Sequence, residues 1–436
     1  MGSYGCGMTG QLRAFFGDLF RTAVAAAHPA ACLPPLLPPP PDGRVILLAA
    51  GKAAGSMAET AEAHYLDKLR LSPDRLCGLA VARHGYGRPT RIVRMIEAGH
   101  PVPDAAGLEA ADRALALADG GGPNDLVLVL MSGGASANWI APANGLSFAD
   151  KQAVTRALLR SGANIGEINT VRKHLSRIKG GRLARYAFPA KLVTIAISDV
   201  PGDDPSAIGS GPTVPDPTTL ADARAIVAKF KLELPATVTR ALNDAANESP
   251  KPGDPVFADS PFALAARPAD SLRAAQAEAA AAGYDCISLG ADVEGEAREV
   301  AAVHAKLACE LRAKGARAVI LSGGELTVTM RGQGRGGPNQ EYALALAIEL
   351  AGQTAVAALA ADTDGTDGGT GSAADPAGAL LDGETVARAK ALGLDPAAFL
   401  TDNNSTGFFE ALGDLLVSGP TYTNVNDFRA IVVDRP

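Results

Sequence analysis

Five short runs of apolar, often β-branched residues constrain this chain more than any other feature: RVILLAAG (44–51), CGLAVA (77–82), RIVRMIEAG (91–99), DLVLVLMSGG (125–134) and KLVTIAISD (191–199). Helical stretches separate them. Continuously apolar strands joined by helices are buried on both faces, which predicts a parallel, doubly wound sheet. Ligands of such sheets bind outside the carboxyl ends of the strands. Here those ends carry Gly51-Lys52, Gly99-His100, Ser132-Gly133-Gly134 and Ser198-Asp199, glycines and small polar groups that permit close backbone approach to a ligand.

Periodicity stops at NDAANESPKPGDPVFA (243–258), where Pro, Gly and Asp cluster, and then resumes. With 436 residues, this predicts two domains, 1–250 and 251–436, each able to bury a core. PFALAA (261–266) and YDCISLG (284–290) read as strands of the second half. The stretch Ala318–Leu350 reads as strand, Ser322-Gly323-Gly324 turn, strand, glycine loop and helix. Pro338 suits a first helical position, so the loop Gly332 to Gly337 lies at a helix N-terminus, a ready phosphate or carboxylate cradle. Ser322, Gly323, Gly324, Gly334, Gly336, Gly337 and Asn339 are therefore expected to line a phosphate site, with Gly51, Ser132, Gly133 and Gly134 facing it from the first half.

The segment Asn169–Arg182 is the one densely basic stretch. Its lysines and arginines either solvate a helix face or, at Lys179-Gly180-Gly181, reach an anion. Asp362, Asp364 and Asp367 sit among glycines and threonines, and Asp199, Asp203 and Asp204 follow the fifth strand. Hard oxygens on such backbone suit Mg²⁺ shared with substrate phosphates; a solvated acidic turn is the other reading.

Composition excludes several classes. Lys plus Arg total 40 against 47 Asp plus Glu, a net charge of -7, so no broad basic surface exists to hold nucleic acid. The five cysteines show no C-x-x-C or metal-ligand spacing and are expected to be reduced, as in the cytoplasm. Arg13, Asp18 and Arg21 interrupt any signal-peptide core, residues 10–28 reading instead as an amphipathic packing helix, and no apolar run is long enough to span a membrane. Walker A, protein-kinase and nucleophile-elbow motifs are absent. Gly332-x-Gly334-x-x-Gly337 does match the dinucleotide fingerprint, with Asp362 at the end of the next strand, so a nicotinamide-dependent dehydrogenase stands as an alternative. Against it, the loop follows a hairpin rather than opening a βαβ unit, and Gln333 and Arg335 are long.

The motifs GKAAGSMA, GHPVPD, LMSGGASA, VRKHLSRIKGGRLA, ISDVPGDDPSAIGSGPTVPDPTT, LSGGELTV, GRGGPNQEYAL, DTDGTDGGTGSAAD and NNSTGFF, in this order, closely resemble the class II glycerate kinases with a MOFRL domain. The resemblance covers about residues 10 to 431. It implies two three-layer α/β/α domains, the first Rossmann-like, with the active site in the cleft between them. It also implies ATP-dependent, Mg²⁺-assisted phosphorylation of D-glycerate to 2-phosphoglycerate by a cytoplasmic monomer or homodimer, with no nucleic-acid or membrane partner. Some relatives carry the label hydroxypyruvate reductase, which is the NAD(P)-dependent alternative again. Carried across, the family's catalytic lysine corresponds to Lys52. Its catalytic arginine comes from the glycine loop, where this chain has Pro338 in place of the usual arginine and retains Arg335 three residues earlier. Lys52 and Arg335 are thus expected to approach the γ-phosphate, Asp199, Asp364 and Asp367 to hold the metal, and the Ser132 turn with Lys179 to hold the glycerate carboxylate.

Overall fold

The computed structural model describes residues 8–370 and 372–435. They form two compact units, one comprising Cys32–Ala265 and the other the residues up to Ala31 together with those from Ala266 onward. The division thus falls some fifteen residues after the 250/251 expectation, and the N-terminal helix belongs with the C-terminal half.

The unit Cys32–Ala265 is built on a six-stranded sheet of β1 (Val45–Ala50), β2 (Leu76–Arg83), β3 (Arg94–Ala98), β4 (Leu126–Met131), β5 (Lys191–Ile197) and β6 (Phe262–Ala266). Its order is β3-β2-β1-β4-β5-β6, with parallel pairing from β3 through β5. Every residue of β1 and β4 is buried, as continuous apolar runs require. The order reverses between β1 and β4, so their carboxyl ends flank the crevice of a doubly wound sheet. The run 261–266, expected to open the second half, is instead the edge strand beside β5, where Thr194 N–H donates to Pro261 O. A separate apolar cluster joins the helices Phe148–Arg160, Ile165–His174, Leu220–Lys229 and Ala236–Asn243 through Val154, Leu158, Ile168, Val171, Ala223 and Val238.

The second unit contains β7 (Asp285–Ser288), β8 (Glu294–Glu296), β9 (Ala318–Ser322), β10 (Glu325–Thr327), β11 (Val356–Asp362), β12 (Gly378–Asp382), β13 (Leu415–Leu416) and β14 (Asp427–Val433). Its six-stranded sheet runs β13-β12-β11-β14-β9-β7, antiparallel except for β7 with β9. Strand alternation sorts the side chains into two layers. Val319, Leu321, Leu359, Ala430 and Val432 pack on the helices Gly10–Ala27 and Pro268–Ala281 through Phe16, Leu19, Phe20, Leu272 and Ala275. Ile320, Ala358, Ala360, Ile431 and Val433 pack on the opposite side against Ala301, Ala305, Tyr342, Leu346 and Phe408. The N-terminal helix is thus one outer layer of this unit, and each unit is α/β as expected.

The hairpin expected at 318–330 does not form. β9 is already paired on both edges, by β14 and β7, so β10 turns away at Gly324 (φ +98°) and pairs with β8 in a two-stranded ribbon. Among the described residues, Cys77, Cys286 and Cys309 are free thiols; Cys6 lies outside them. No described helix is long and apolar enough to cross a membrane.

Candidate active site

The carboxyl ends of β1 and β4 are stitched together. Lys52 N–H donates to Gly133 O (2.8 Å), Ser132 N–H to Ala50 O (3.1 Å) and Ala53 N–H to Ser132 Oγ (2.9 Å). Two glycines are required here. A Cβ on Gly51 (φ +120°) would stand 2.4 Å from Ser132 O, and one on Gly134 (φ +86°) 2.9 Å from the His100 ring and 3.4 Å from Lys52 Cγ. Lys52, His100 and the Ser132–Gly134 turn therefore share one small patch of the sheet edge. The Ser132 amide donates to Ala50 O and its hydroxyl oxygen accepts from Ala53 N–H, so Ser132 shapes the turn. Asp199 follows β5 on the same edge.

Beyond the turn, the short helix Ala135–Asn138 carries Ser136 to the basic segment. Lys179 Nζ donates to Ser136 O (2.8 Å) and Oγ (2.6 Å), and Arg172 to Ser136 Oγ (2.7 Å). Lys151 Nζ caps the end of the helix Ile165–His174 by donating to Arg172 O (2.9 Å) and Leu175 O (3.0 Å). Burial holds the Lys151 and Lys179 ammonium groups well below the usual lysine range, with Arg172 adding repulsion; burial lowers Arg172 as well. The solvated-face reading of this segment fails for Lys173, Lys179 and Arg182, which are buried, and for the half-buried Arg172, while Arg177, beyond the end of the helix, pairs with Asp112. Arg172 and Ser136 are functional candidates that motif spacing did not single out. Lys151 was invisible because it lies alone on a helix of ordinary composition.

The second unit treats its glycine loop differently from the expectation. Asp402, Asn403 and Asn404 fill the loop: Asn403 Oδ1 accepts from Arg331 N–H (2.7 Å) and Gly332 N–H (3.0 Å), Asp402 Oδ1 from Gln333 N–H (3.0 Å), and Asn404 Oδ1 from Arg335 N–H (3.3 Å). Cβ atoms on Gly332, Gly334 and Gly336 would collide with Asp402, Asn404 and Ser405. These glycines, read as a phosphate cradle, admit the chain's own residues 402–405. The helix N-terminus is likewise taken. Asp367 Oδ1 accepts from Asn339 N–H (3.0 Å) and Nδ2 (3.2 Å), and Oδ2 from Gln340 N–H (2.8 Å) and Nε2 (3.1 Å). The anion on this helix is therefore an internal carboxylate, which corrects the assignment of Gly334, Gly336, Gly337 and Asn339 to an external phosphate. Burial pushes the Asp367 carboxyl up to about 7 despite these donors.

The Ser322-Gly323-Gly324 turn is also turned inward. Arg429, buried, donates to Ser322 Oγ (3.2 Å), to Gly323 O and to Asp427 Oδ2 (2.8 Å), while Asn339 Nδ2 bonds Asp427 Oδ1 (2.6 Å). Arg335 is about three-fifths exposed and pairs with Glu410 at 2.9 Å.

For Mg²⁺ the expected carboxylates divide. Asp367 has its four lone-pair positions occupied by N–H donors and does not fit a metal. Asp364 is buried and accepts at Oδ1 from Thr366 N–H (2.8 Å) and Oγ1 (3.0 Å), so its Oδ2 is the oxygen oriented by a formed turn. Among the described residues, no three His, Cys, Asp or Glu side chains converge as a protein-only metal site.

Two family profiles match the chain: a domain of unknown function, DUF4147, over residues 15–243, and the MOFRL family over residues 318–427. A relative from Agrobacterium vitis, provisionally named a hydroxypyruvate reductase, is 48% identical over 95% of this chain and 93% of its own length. The D-glycerate 2-kinase of Thermotoga maritima is 39% identical over 94% of this chain and 95% of its own. A crystal structure of glycerate kinase from Thermotoga maritima superposes with a TM-score of 0.85 at 37% identity, covering 98% of this chain and all of that one. With relatives matched over nearly their full lengths, the chain belongs to the glycerate 2-kinase family that joins a DUF4147 region to a MOFRL domain.

Proposed function

We propose that this protein transfers the γ-phosphoryl group of ATP to the 2-hydroxyl of D-glycerate. The hydroxyl oxygen attacks the γ-phosphorus, the bond to the bridging oxygen of ADP breaks, and the hydroxyl proton is released. The observation that carries this reading is the placement of Lys52 beside the Ser132–Gly134 turn at the β1/β4 switch point, where a doubly wound sheet receives its ligand. Phosphoryl transfer asks mainly for positioning and for charge neutralisation, and an ammonium group at a sheet edge supplies the second. Lys179 supplies positive charge for the glycerate carboxylate, with Arg335 as the second candidate cation for the phosphoryl group.

Mg²⁺, bound with the nucleotide, would neutralise charge on the phosphate oxygens, and Asp199 and Asp364 are the carboxylates left to hold it. The enzyme is proposed to be cytoplasmic, as a monomer or homodimer. The reductase alternative loses its main support, because the G-x-G-x-x-G loop is filled by residues 402–405 and its helix by Asp367. A coupled assay decides between them: D-glycerate with ATP should yield ADP, whereas oxidation of NADH or NADPH by hydroxypyruvate with no ATP-dependent turnover would reverse the assignment.

A further inference from the structure

Buried cations in proteins are paired, because an isolated charge away from water is costly. The unit Cys32–Ala265 obeys this for two of its buried basic residues. Lys173 pairs with Asp216 at 3.5 Å, and Arg182 lies in the field of Asp216 and Glu248. The buried Lys151 and Lys179 and the half-buried Arg172 do not follow the rule. Their hydrogen-bond partners are backbone carbonyls and the Ser136 hydroxyl, which leave the charge unbalanced. Arg172 Nε is buried with no hydrogen-bond partner among the described residues.

All three line one cavity of about 410 Å³, which has Arg156 on its wall and, among the described residues, no Asp or Glu. Apart from Ser136, Gln152 and Thr155, the rest of its lining is apolar, with Ile140 and Ile168 inside and Val102, Leu159 and Ile165 at the mouth, these three 66–69% exposed. At the roughly 30 Å³ that a water takes in the liquid, the space holds roughly a dozen non-hydrogen atoms, well beyond a three-carbon hydroxy acid. A cationic floor under apolar walls suits neither inorganic phosphate nor a fully hydroxylated acid.

We propose that this cavity binds an organic monocarboxylate bearing an apolar chain, its carboxylate on Arg172 and Lys179 and its chain against Ile140 and Ile168. The planar guanidinium matches a carboxylate in geometry, and the incoming charge supplies the counter-ion that the chain omits. Lys179 is also the residue given above to the glycerate carboxylate, and Arg172, which that reading does not use, is what the test separates.

Trp139, the chain's only tryptophan, is buried between the lining residues Ala137 and Ile140 in sequence and reports on the site. The full-length protein is titrated with hexanoate, D-glycerate and inorganic phosphate, reading Trp139 fluorescence and melting temperature, in the wild type and in Arg172→Met. Hexanoate should saturate the fluorescence change, raise the melting temperature and bind at least ten-fold more tightly than the other two. Arg172→Met should weaken hexanoate at least ten-fold while melting at or above the wild type, since it removes an unbalanced buried charge. The proposal is overturned by the absence of saturable hexanoate binding, by D-glycerate or phosphate matching hexanoate in an Arg172-dependent way, by unchanged hexanoate affinity in the variant, or by a variant that melts well below wild type, which would make the guanidinium structural.

Discussion

Replacing Asp367 by Asn separates a structural carboxylate from a metal ligand. The wild-type side chain accepts from two backbone N–H groups at a buried helix start and from two side-chain amides. The side-chain amides keep other acceptors, Asp427 Oδ1 for Asn339 and Asp367 O for Gln340, so the backbone pair carries the cost. An Asn offers one acceptor oxygen, and its NH₂ faces whichever backbone donor loses its partner. A buried donor left unsatisfied costs about 1–3 kcal/mol, and losing a bond to an ionised acceptor about 1.5–3 kcal/mol. Relief of the burial that pushes this carboxyl up to about 7 offsets part of that loss. The net expectation is about 2–4 kcal/mol, or roughly 5–15 °C of melting temperature for a unit of this size. Thermal unfolding followed by circular dichroism measures it, alongside the Mg²⁺ dependence of the remaining ATP turnover. A variant that melts with the wild type and needs ten-fold more Mg²⁺ would refute the structural role and return Asp367 to the metal.

Lys52→Ala should lower turnover by about 10²–10³-fold or more, the scale of a lost electrostatic partner to a transition state, with an unchanged circular dichroism spectrum; near-normal turnover removes Lys52 from the mechanism. Arg335→Ala breaks an exposed ion pair worth about 0–1 kcal/mol at most, so its melting temperature should barely move while ADP production falls; intact kinetics would leave this chain's second cation to be found elsewhere. His304 is buried against Tyr342 OH at 2.8 Å, and burial, with Arg429 nearby, lowers it to about 4. Its native pKa lies below the unfolded value near 6.5, so its contribution is full above pH 6.5 and is lost as pH falls toward 4, by about 3 kcal/mol at most. His304→Gln should flatten the urea stability profile between pH 6.5 and 4 relative to wild type, and a parallel profile would show that the imidazole is not what titrates. Burial and Arg172 hold Lys151 and Lys179 below the usual lysine range, and a bound carboxylate favours their charged forms, so hexanoate affinity should fall as pH rises, read by the same fluorescence titration.

What the sequence disclosed and what it hid differ in range. β1 and β4 were legible because a strand buried on both faces must be apolar at every position, a property of six consecutive residues. The edge carrying Lys52 and the Ser132 turn followed from the same reading, since strand ends in a parallel sheet converge by topology alone. The misread features all depend on partners far along the chain. Gly332 to Gly337 looked like a ligand cradle because a glycine loop before a helix admits any oxygen-rich partner; here the partner comes from 402–405, some seventy residues on. The helix N-terminus asked for an anion and found Asp367, 27 and 28 residues from the amides it caps. The local physics was right in both cases, and only the source of the oxygen was wrong. Arg172, Lys179 and Lys151 invert the lesson: the chain brings three cations together and supplies no internal acid to their cavity, so the same demand for an anion is met from outside. A glycine loop or a helix start therefore marks a ligand site only after the chain's own carboxylates and amides have been shown not to fill it, and that test favours the basic floor beside Ser136 over the loop before Pro338.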